Sequence, residues 1–517
     1  MGFSLAKFLR PGARFALLLL ELAIFSGLIA ATRCANYADV FVGGQVYFVD
    51  ADCYARMTRA RLVAAHPGLV VRHHDFENFP AGTTPHTTAP LDYLIVGLAG
   101  LLGPFSAQAL DLAGALISPL LALAGGWFLW WWSRRAKLRF RWVALLLFAL
   151  SPILAHGTAL GRPDHQALLL VLLLVALAAE WILKEEASRG WGMVSGLSWG
   201  LAGWVSRYEP AVFLAIVLLS ERSKLFRAHR RPGWLAGGGV LLLAAVIERR
   251  WPQLPAPELH DFFLRWSATI GELRHVGLTN PSWWQWFGGF SLLAPLLLII
   301  AAVKRKTPSA TFAMLLVVAG ALTIWQARWG YFLGVILCLT IPALVAFVRP
   351  RWLGTVLAVL AFAPFLSAWD AELWPNEQTQ SQRGDARREA VAWRAAAATL
   401  HGPFLAPWWL APSAAYWSGQ PSVAGSSHES LPGIVASARF YLATSPNDAA
   451  EILLAHGVRA VLAYDAARTA QNSAAILGVP VSPQALCFAL DRAPSQAPRF
   501  LTLVGEDSAA KIYRINP

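Results

Sequence analysis

Apolar blocks of bilayer-spanning length recur along this chain, each divided from the next by a short basic loop. That alternation constrains the fold more than any other feature. The first block, FALLLLELAIFSGLIAA, runs from Phe15 to about Ala31 behind Lys7, Arg10 and Arg14. A helix that crosses a bilayer needs about 20 such residues. A signal peptide opens the same way, but no small-x-small cleavage site precedes the acidic segment and many apolar blocks follow, so the block reads as a retained first helix. The later blocks are divided by WWWSRRAKLRFR (130–141), KEEASR (184–189), ERSKLFRAHRR (221–231), KRK (304–306) and RPR (349–351). The chain is 56% hydrophobic and 14% charged, whereas a soluble domain is nearer half apolar and a quarter charged. The net charge of +13 then follows from the positive-inside rule rather than from a nucleic-acid partner.

With the N-terminus in the cytoplasm, alternation gives a polytopic α-helical protein of about eleven to thirteen transmembrane helices. Residues 1–369 form the membrane domain, with external loops at 32–104 and 249–283. LDYLIVGLAGLL (91–102) is short for a span and reads as a helix near the outer surface. Spans are expected near 105–132, 143–159, 285–303, 309–325, 331–348 and 352–368, with two further pairs around KEEASR and ERSKLFRAHRR. GRPDHQ and QARWGYF (326–332) fall outside. Residues 370–517 have soluble composition and read as an extracytoplasmic α/β domain of normal size. There AEILLAHGVRAVLAYD (450–465) is a helix followed by a buried strand, and FLTLVGEDSAAKIYRI (500–515) a closing hairpin. The location implied is the cell inner (plasma) membrane, with the tail in the periplasm. The four cysteines show no metal or redox spacing; Cys34 and Cys53 both fall outside, where a pairing is open.

Three external segments place carboxylates beside membrane ends: VDADCYARMTRARL (49–62) with Asp50 and Asp52, GRPDHQ with Asp164, and RWSATIGELRHVG (265–277) with Glu272. Any one alone reads as a solvated loop charge. Three on one face suit an oxygen-ligand site for Mg²⁺ or Mn²⁺, to which Gln166 adds a neutral oxygen or His165 an imidazole. His73 and His74 read as loop-capping groups, and most of the 24 tryptophans as interfacial belts.

The order of these segments resembles the catalytic subunits of oligosaccharyltransferases. DADCYARMTRARL followed by HDFENFPAGTTPHTTAPLDYLI (74–95) is similar to their first external loop, GRPDHQ to their second acidic motif, and TIGE (269–272) to their T-I-x-E motif. QARWGYF resembles their Arg-aromatic segment, and PWWLAP the first half of W-W-D-Y-G. The resemblance implies the C-type membrane glycosyltransferase architecture and a single-subunit enzyme that moves a glycan from a polyprenyl-diphosphate carrier to an asparagine amide. Carried over by position, Asp52, Asp164, Gln166 and Glu272 would hold the metal, which would neutralise the departing diphosphate. Asp52 and Glu272 would act on the acceptor nitrogen, and Arg328 would bind the diphosphate. Trp408 and Trp409 would wall the acceptor site. Gln166 stands where the family usually has an acid or histidine, and Leu410 where it has the aspartate that reads the acceptor's hydroxyl.

Other readings stay open from the residues alone. A related transferase would deliver its sugar to a lipid, a glycan or another external acceptor. A degenerate paralogue would keep the fold without catalysis. A transporter or flippase would carry its ionisable groups at mid-membrane, whereas here they gather at the outer surface.

Overall fold

A computed structural model describes residues 11–222, 227–250, 256–303, 310–506 and 510–516. Lys7, Arg10, the loop KRK (304–306) and parts of the expected loops 221–231 and 249–283 lie outside the described residues. Among those described, five helices are long and apolar enough to cross a membrane: Phe15–Arg33, Ala109–Arg135, His165–Glu185, Ala327–Val345 and Arg351–Leu373. A sixth crossing is available to Pro281–Phe287 and Phe290–Val303, bent by 70°. Gly288 makes that bend at φ +59, where a Cβ would meet the Ala361 carbonyl at 2.4 Å. Ala89–Leu102, Arg141–Leu150, Tyr208–Ser220 and Ala310–Trp325 are shorter apolar helices.

The expected span at 143–159 is therefore not one helix. It divides into Arg141–Leu150 and Pro152–Gly157, because Pro152 has no N–H to continue the ladder and drives Ser151 to an extended ψ of 117. At the centre stands Gly330–Val345, buried at every residue from Gly330 to Pro342. It is apolar all round, as a helix surrounded by others must be.

Two helices, Arg189–Val205 and Arg231–Glu248, approach backbone to backbone. A Cβ on Gly196 would lie 1.8 Å from the Gly233 carbonyl, and one on Gly237 would lie 2.5 Å from that of Gly196. Small residues four apart allow this approach where the hydrophobic effect between helices is weak. The pair is fixed further by Glu180, which accepts from Ser195 at 2.6 Å and from Arg230 at 2.8 Å.

Ion pairs show that the bundle has two chemically distinct ends. Arg135 meets Glu186 at 2.5 Å, and Lys184 meets Glu221 at 2.5 Å, so the basic loops share one end. The acidic motifs and the tail gather at the other. In the tail, a parallel pair, Phe404–Leu405 with Ala460–Ala463, continues antiparallel to Lys511–Ile515 and then to Leu501–Glu506. The expected helix and buried strand at 450–465 are Pro446–Ala455 and Ala460–Ala463, and the expected hairpin at 500–515 has its two strands in place.

The tail is bound to the segment 32–104 by backbone and side-chain bonds alike. Phe79 N donates to Ser422 O at 3.0 Å, Ser422 N donates to Phe76 O at 3.0 Å, and Asn78 accepts from Gly433 N at 3.0 Å. Arg387 pairs with Asp39, and Arg394 donates to Gln45, both at 2.7 Å. Cys34 and Cys53 are free thiols.

Gly196→Val is expected to push the two glycine-lined helices apart and lower stability by about 3 kcal/mol or more, since overpacking alone costs 1–3. Gly238→Ala, which meets nothing within 4 Å, should leave the melting temperature in detergent unchanged or raised.

Candidate functional site

The DAD sequence divides its two acids between different tasks. Asp50 caps the helix Ala51–Ala65, accepting from Cys53 N at 3.0 Å. Asp52 stands in the first turn and is exposed to a cleft of about 850 Å³. Four and seven residues on come Arg56 and Arg59, both buried and both paired to Asp92, at 2.7 and 2.5 Å. Poor hydration inside the cleft, Asp50 and the further acids Asp164 and Glu272 push the Asp52 carboxyl well above its usual range, against a hydrogen bond from Ser426.

GRPDHQ supplies the opposite wall. Gly161 turns the chain at φ +73, and a Cβ there would meet Val40 at 2.7 Å. Its N–H donates to Ala115 O, its carbonyl accepts from Val49 N, and Ser118 donates to the Arg162 carbonyl. The loop is thus pinned to a membrane helix, and Asp164 caps the next, His165–Glu185. His165 lies 2.7 Å from Asp164. Burial alone would raise the Asp164 carboxyl, but His165, Arg162 and Arg56 together hold it far below its ordinary value. It is ionised at any working pH.

Glu272 enters on a single 3₁₀ turn, Gly271–Leu273. It accepts from Arg162, from the Tyr331 hydroxyl at 3.1 Å and from the Gln166 amide at 3.4 Å. The Arg162 guanidinium is 4% exposed and stands between acids, with Asp50 at 3.3 Å and Asp164 at 3.7 Å besides Glu272. Burial would lower its pKa, but Tyr331, Asp50, Glu272 and Asp164 raise it well above the ordinary value. Arg328, on the turn Ala327–Trp329, faces the same cleft and is paired to Glu209, whose side chain is wholly buried. That pairing separates it from an arginine reaching for the membrane surface.

Trp408 and Trp409 are half-buried and line the cleft, 6.0 Å apart at 88°. Trp408 donates to Asn472 at 2.6 Å and packs edge-on to Trp266, while Arg468 covers the Trp409 ring at 4.9 Å. Leu410 packs with Trp408 in an apolar cluster. The polar groups beside the two rings are therefore Asn472, Arg468 and Ser426.

All the sequence-selected residues except Asp164 and Gln166 line this one cleft, and those two reach it through Arg162 and Glu272. The sequence reading left several of its other groups without a role. Arg162 lies inside a motif chosen for its aspartate, and Asp50 beside one. Tyr331 lies inside QARWGYF, chosen for its arginine, whereas Glu209, Arg468 and Asn472 carry no local signal and reach the site only by folding.

The acids do not close on a common point. Among the described residues, the three histidine, cysteine or carboxylate ligand atoms that lie within 4.8 Å of one another belong to His86, His428 and Glu429, and not to Asp52, Asp164 and Glu272. That second cluster sits behind His165, whose ring centroid is 6.3 Å from that of His86. Between Asp164 and Glu272, where a shared ion would stand, is a guanidinium. As arranged, these four side chains do not fit Mg²⁺ or Mn²⁺.

No family model matches the chain. Among solved structures, the archaeal oligosaccharyltransferase AglB from Archaeoglobus fulgidus, in complex with an inhibitory peptide and a dolichol-phosphate, is 14% identical, with a TM-score of 0.63 over 87% of this chain and 69% of that one. The same organism's enzyme in complex with Zn and sulfate gives 14%, 0.63, 86% and 67%. ArnT from Cupriavidus metallidurans bound to undecaprenyl phosphate gives 14% and 0.56, over 98% of both chains. The fold is that of the C-type membrane glycosyltransferases. At this identity the likeness is one of architecture, including the helical membrane part and the small sheet near the C-terminus.

Behind Asp52, the loop carrying Ser426 rests on Glu77, which accepts from Ser430 at 3.1 Å and from Ser426 N at 3.5 Å. Burial raises the Glu77 carboxyl to about 7, against those two hydrogen bonds. The folded chain thus holds a proton that the unfolded chain releases from about pH 4.5 upward. Stability is expected to be full below that pH and to fall towards pH 7 by up to ~3 kcal/mol. Glu77→Gln should flatten that slope in denaturant titrations run between pH 4.5 and 8.

Proposed function

We propose that the protein is a glycosyltransferase that moves a sugar or glycan from a polyprenyl-diphosphate-linked carrier to an acceptor at the external face of the inner membrane, with the N-terminus cytoplasmic and the tail periplasmic. The observation that carries this reading is the cleft itself. Free acid (Asp52), fixed cations (Arg162, Arg328, Arg468) and aromatic walls (Trp408, Trp409) face one another across it, beside helices apolar enough to lie in lipid. The solved relatives support a lipid phosphate as donor, since AglB holds a dolichol-phosphate and ArnT undecaprenyl phosphate.

In this reading the acceptor X–H sits against Asp52. The acceptor atom attacks the anomeric carbon, the carbon–oxygen bond to the phosphate breaks, and its electron pair leaves on the phosphate oxygen. The proton passes to the Asp52 carboxylate, which burial among other acids makes a stronger base than an ordinary aspartate. Glu272 holds the acceptor in line by accepting a hydrogen bond. Arg328, positioned by Glu209, takes the departing phosphate in bidentate fashion. Mg²⁺ or Mn²⁺ at Asp52, Asp164, Gln166 and Glu272 is the sequence's expectation, and no step here is routed through it.

A polypeptide acceptor agrees with the peptide that AglB binds. A second reading is favoured by Leu410: with leucine beside the tryptophans, nothing at that position accepts a hydrogen bond from a serine or threonine hydroxyl. An acceptor other than an asparagine sequon, such as a lipid or glycan, then fits the wall better.

The test incubates purified protein with undecaprenyl-diphosphate-linked glycan and either an Asn-x-Thr peptide or a membrane-lipid extract, followed by mass spectrometry. A mass increment on one acceptor is expected, and Asp52→Asn should reduce its rate by about 10²–10⁴-fold with an unchanged melting temperature. Full activity in Asp52→Asn, or vectorial movement of the lipid without a new bond, would overturn the reading.

A further inference from the structure

The geometry points to Arg162 as the built-in cation of this site: its guanidinium takes the place of a divalent metal among Asp50, Asp164 and Glu272, and the transfer runs without one. The inference rests on the transferase reading and deepens it.

The loop that carries Arg162 is built to aim it. Gly161 is in the left-handed region, and the carbonyls and amides on either side of the arginine are bonded to Ala115, Ser118 and Val49. The side chain therefore enters from a fixed backbone. It reaches acids from three separate segments, Asp50 at 3.3 Å, Asp164 at 3.7 Å and Glu272 in direct contact, and its Nη1 also lies 3.2 Å from His156. One positive group thus joins a helix cap, a helix-starting loop and the 3₁₀ turn Gly271–Leu273, which is the joining role that an ion would otherwise play.

Two further observations point the same way. Gln166 aims its amide nitrogen, not its oxygen, at Glu272 (3.4 Å), and its oxygen has no partner. That is the orientation of a donor to a carboxylate and not of a metal ligand. The second is that Arg162 lines the cleft beside Arg328, Asp52 and Glu272, so its fixed positive charge stands next to the space where the carrier's phosphate leaves. The negative charge that develops on the leaving oxygen is met by the charge of Arg162 and by Arg328 together. Glu272, held by Arg162 and Tyr331, stays an anchored acceptor. Asp52 alone is left to take the proton.

The first readout is metal itself, on the full-length chain in nanodiscs. Mn²⁺ titrated into EDTA-stripped wild type and followed by electron paramagnetic resonance is expected to find no site that depends on Glu272. Arg162→Ala vacates the space between the acids and is expected to gain about one Mn²⁺ per chain, held by oxygen ligands, and to lose it again when Glu272→Gln is added. Mn²⁺ bound by the wild type and lost in Glu272→Gln overturns the proposal. Mn²⁺ bound by the wild type and lost only in His86→Ala lies at the second cluster, and supports a carboxylate site that is closed to metal.

The second readout is binding of undecaprenyl phosphate, followed by tryptophan fluorescence from the cleft. Wild-type affinity should be the same in EDTA and in Mn²⁺. Arg162→Ala should bind roughly 10-fold more weakly, as loss of a charge-assisted pair predicts, and should regain affinity when Mn²⁺ is added. An EDTA-sensitive wild type overturns the proposal. A wild type that ignores undecaprenyl phosphate in every buffer instead removes the donor reading, while the Mn²⁺ result still decides what occupies the site.

Discussion

The contact of Arg162 with Asp50, Asp164 and Glu272 is the interaction on which the rest of the site depends. These acids come from parts of the chain more than a hundred residues apart, and each is fixed in turn by something else: Asp50 by capping a helix, Asp164 by capping another, Glu272 by Tyr331. Brought together without a cation they would repel one another in a setting where water screens poorly. With the guanidinium between them, the 3₁₀ turn that carries Glu272 is held against the helical bundle. Arg162 is buried while Asp50 and Glu272 keep about a third of their side-chain surface, so losing the guanidinium costs less than the ~3–5 kcal/mol of breaking a fully buried pair.

The same logic recurs at other buried charges of the fold. Arg56 and Arg59 share Asp92, Arg328 has Glu209, and Arg230 has Glu180. Each pair crosses between two elements that apolar packing alone would let slide, since lipid-facing helices gain little from hydrophobic contact with one another. The tail contributes differently. Its backbone is bonded into the first external loop at Phe76, Phe79 and Ser422, so the wall bearing Trp408 and Trp409 is placed by hydrogen bonds to the segment that begins with the DAD acids. Wall and acid are set by one continuous network.

How much of this was legible in the sequence differs by residue, for physical reasons. Apolar length and basic loops give the membrane class directly, because the bilayer imposes one length and one charge asymmetry. The strand at 460–463 is legible as a short apolar run between turns, and the hairpin strands within 501–515 from their alternation. Broken helices are less so: Pro152 and Gly288 interrupt stretches whose hydropathy continues unbroken, and only backbone geometry records the break. Asp52, Glu272 and Arg328 stand out by motif. Arg162 does not, although it sits in the quoted GRPDHQ, because an arginine two residues before an aspartate in a loop reads as one more solvated charge. Its burial follows from Gly161 and from the helix it is pinned to, neither of which is adjacent information. Glu209 is concealed in the same way, as the single acid at the start of an apolar helix.

The tryptophan pair shows what fold and chemistry each contribute. Two adjacent indoles would bury for area alone in most proteins, and Trp408 does join apolar clusters on both sides. Yet its N–H is spent on Asn472, and the Trp409 ring is covered by Arg468, so the wall presents a guanidinium, an amide and two π faces. Such a surface favours stacking on a ring and hydrogen bonding to several oxygens over reading one small hydroxyl. A wall that binds by area and dispersed polar contacts suits a sugar or lipid headgroup at least as well as a peptide. In the proposed transferase, Leu410 beside that wall would leave acceptor choice to the shape of the cleft rather than to a single carboxylate.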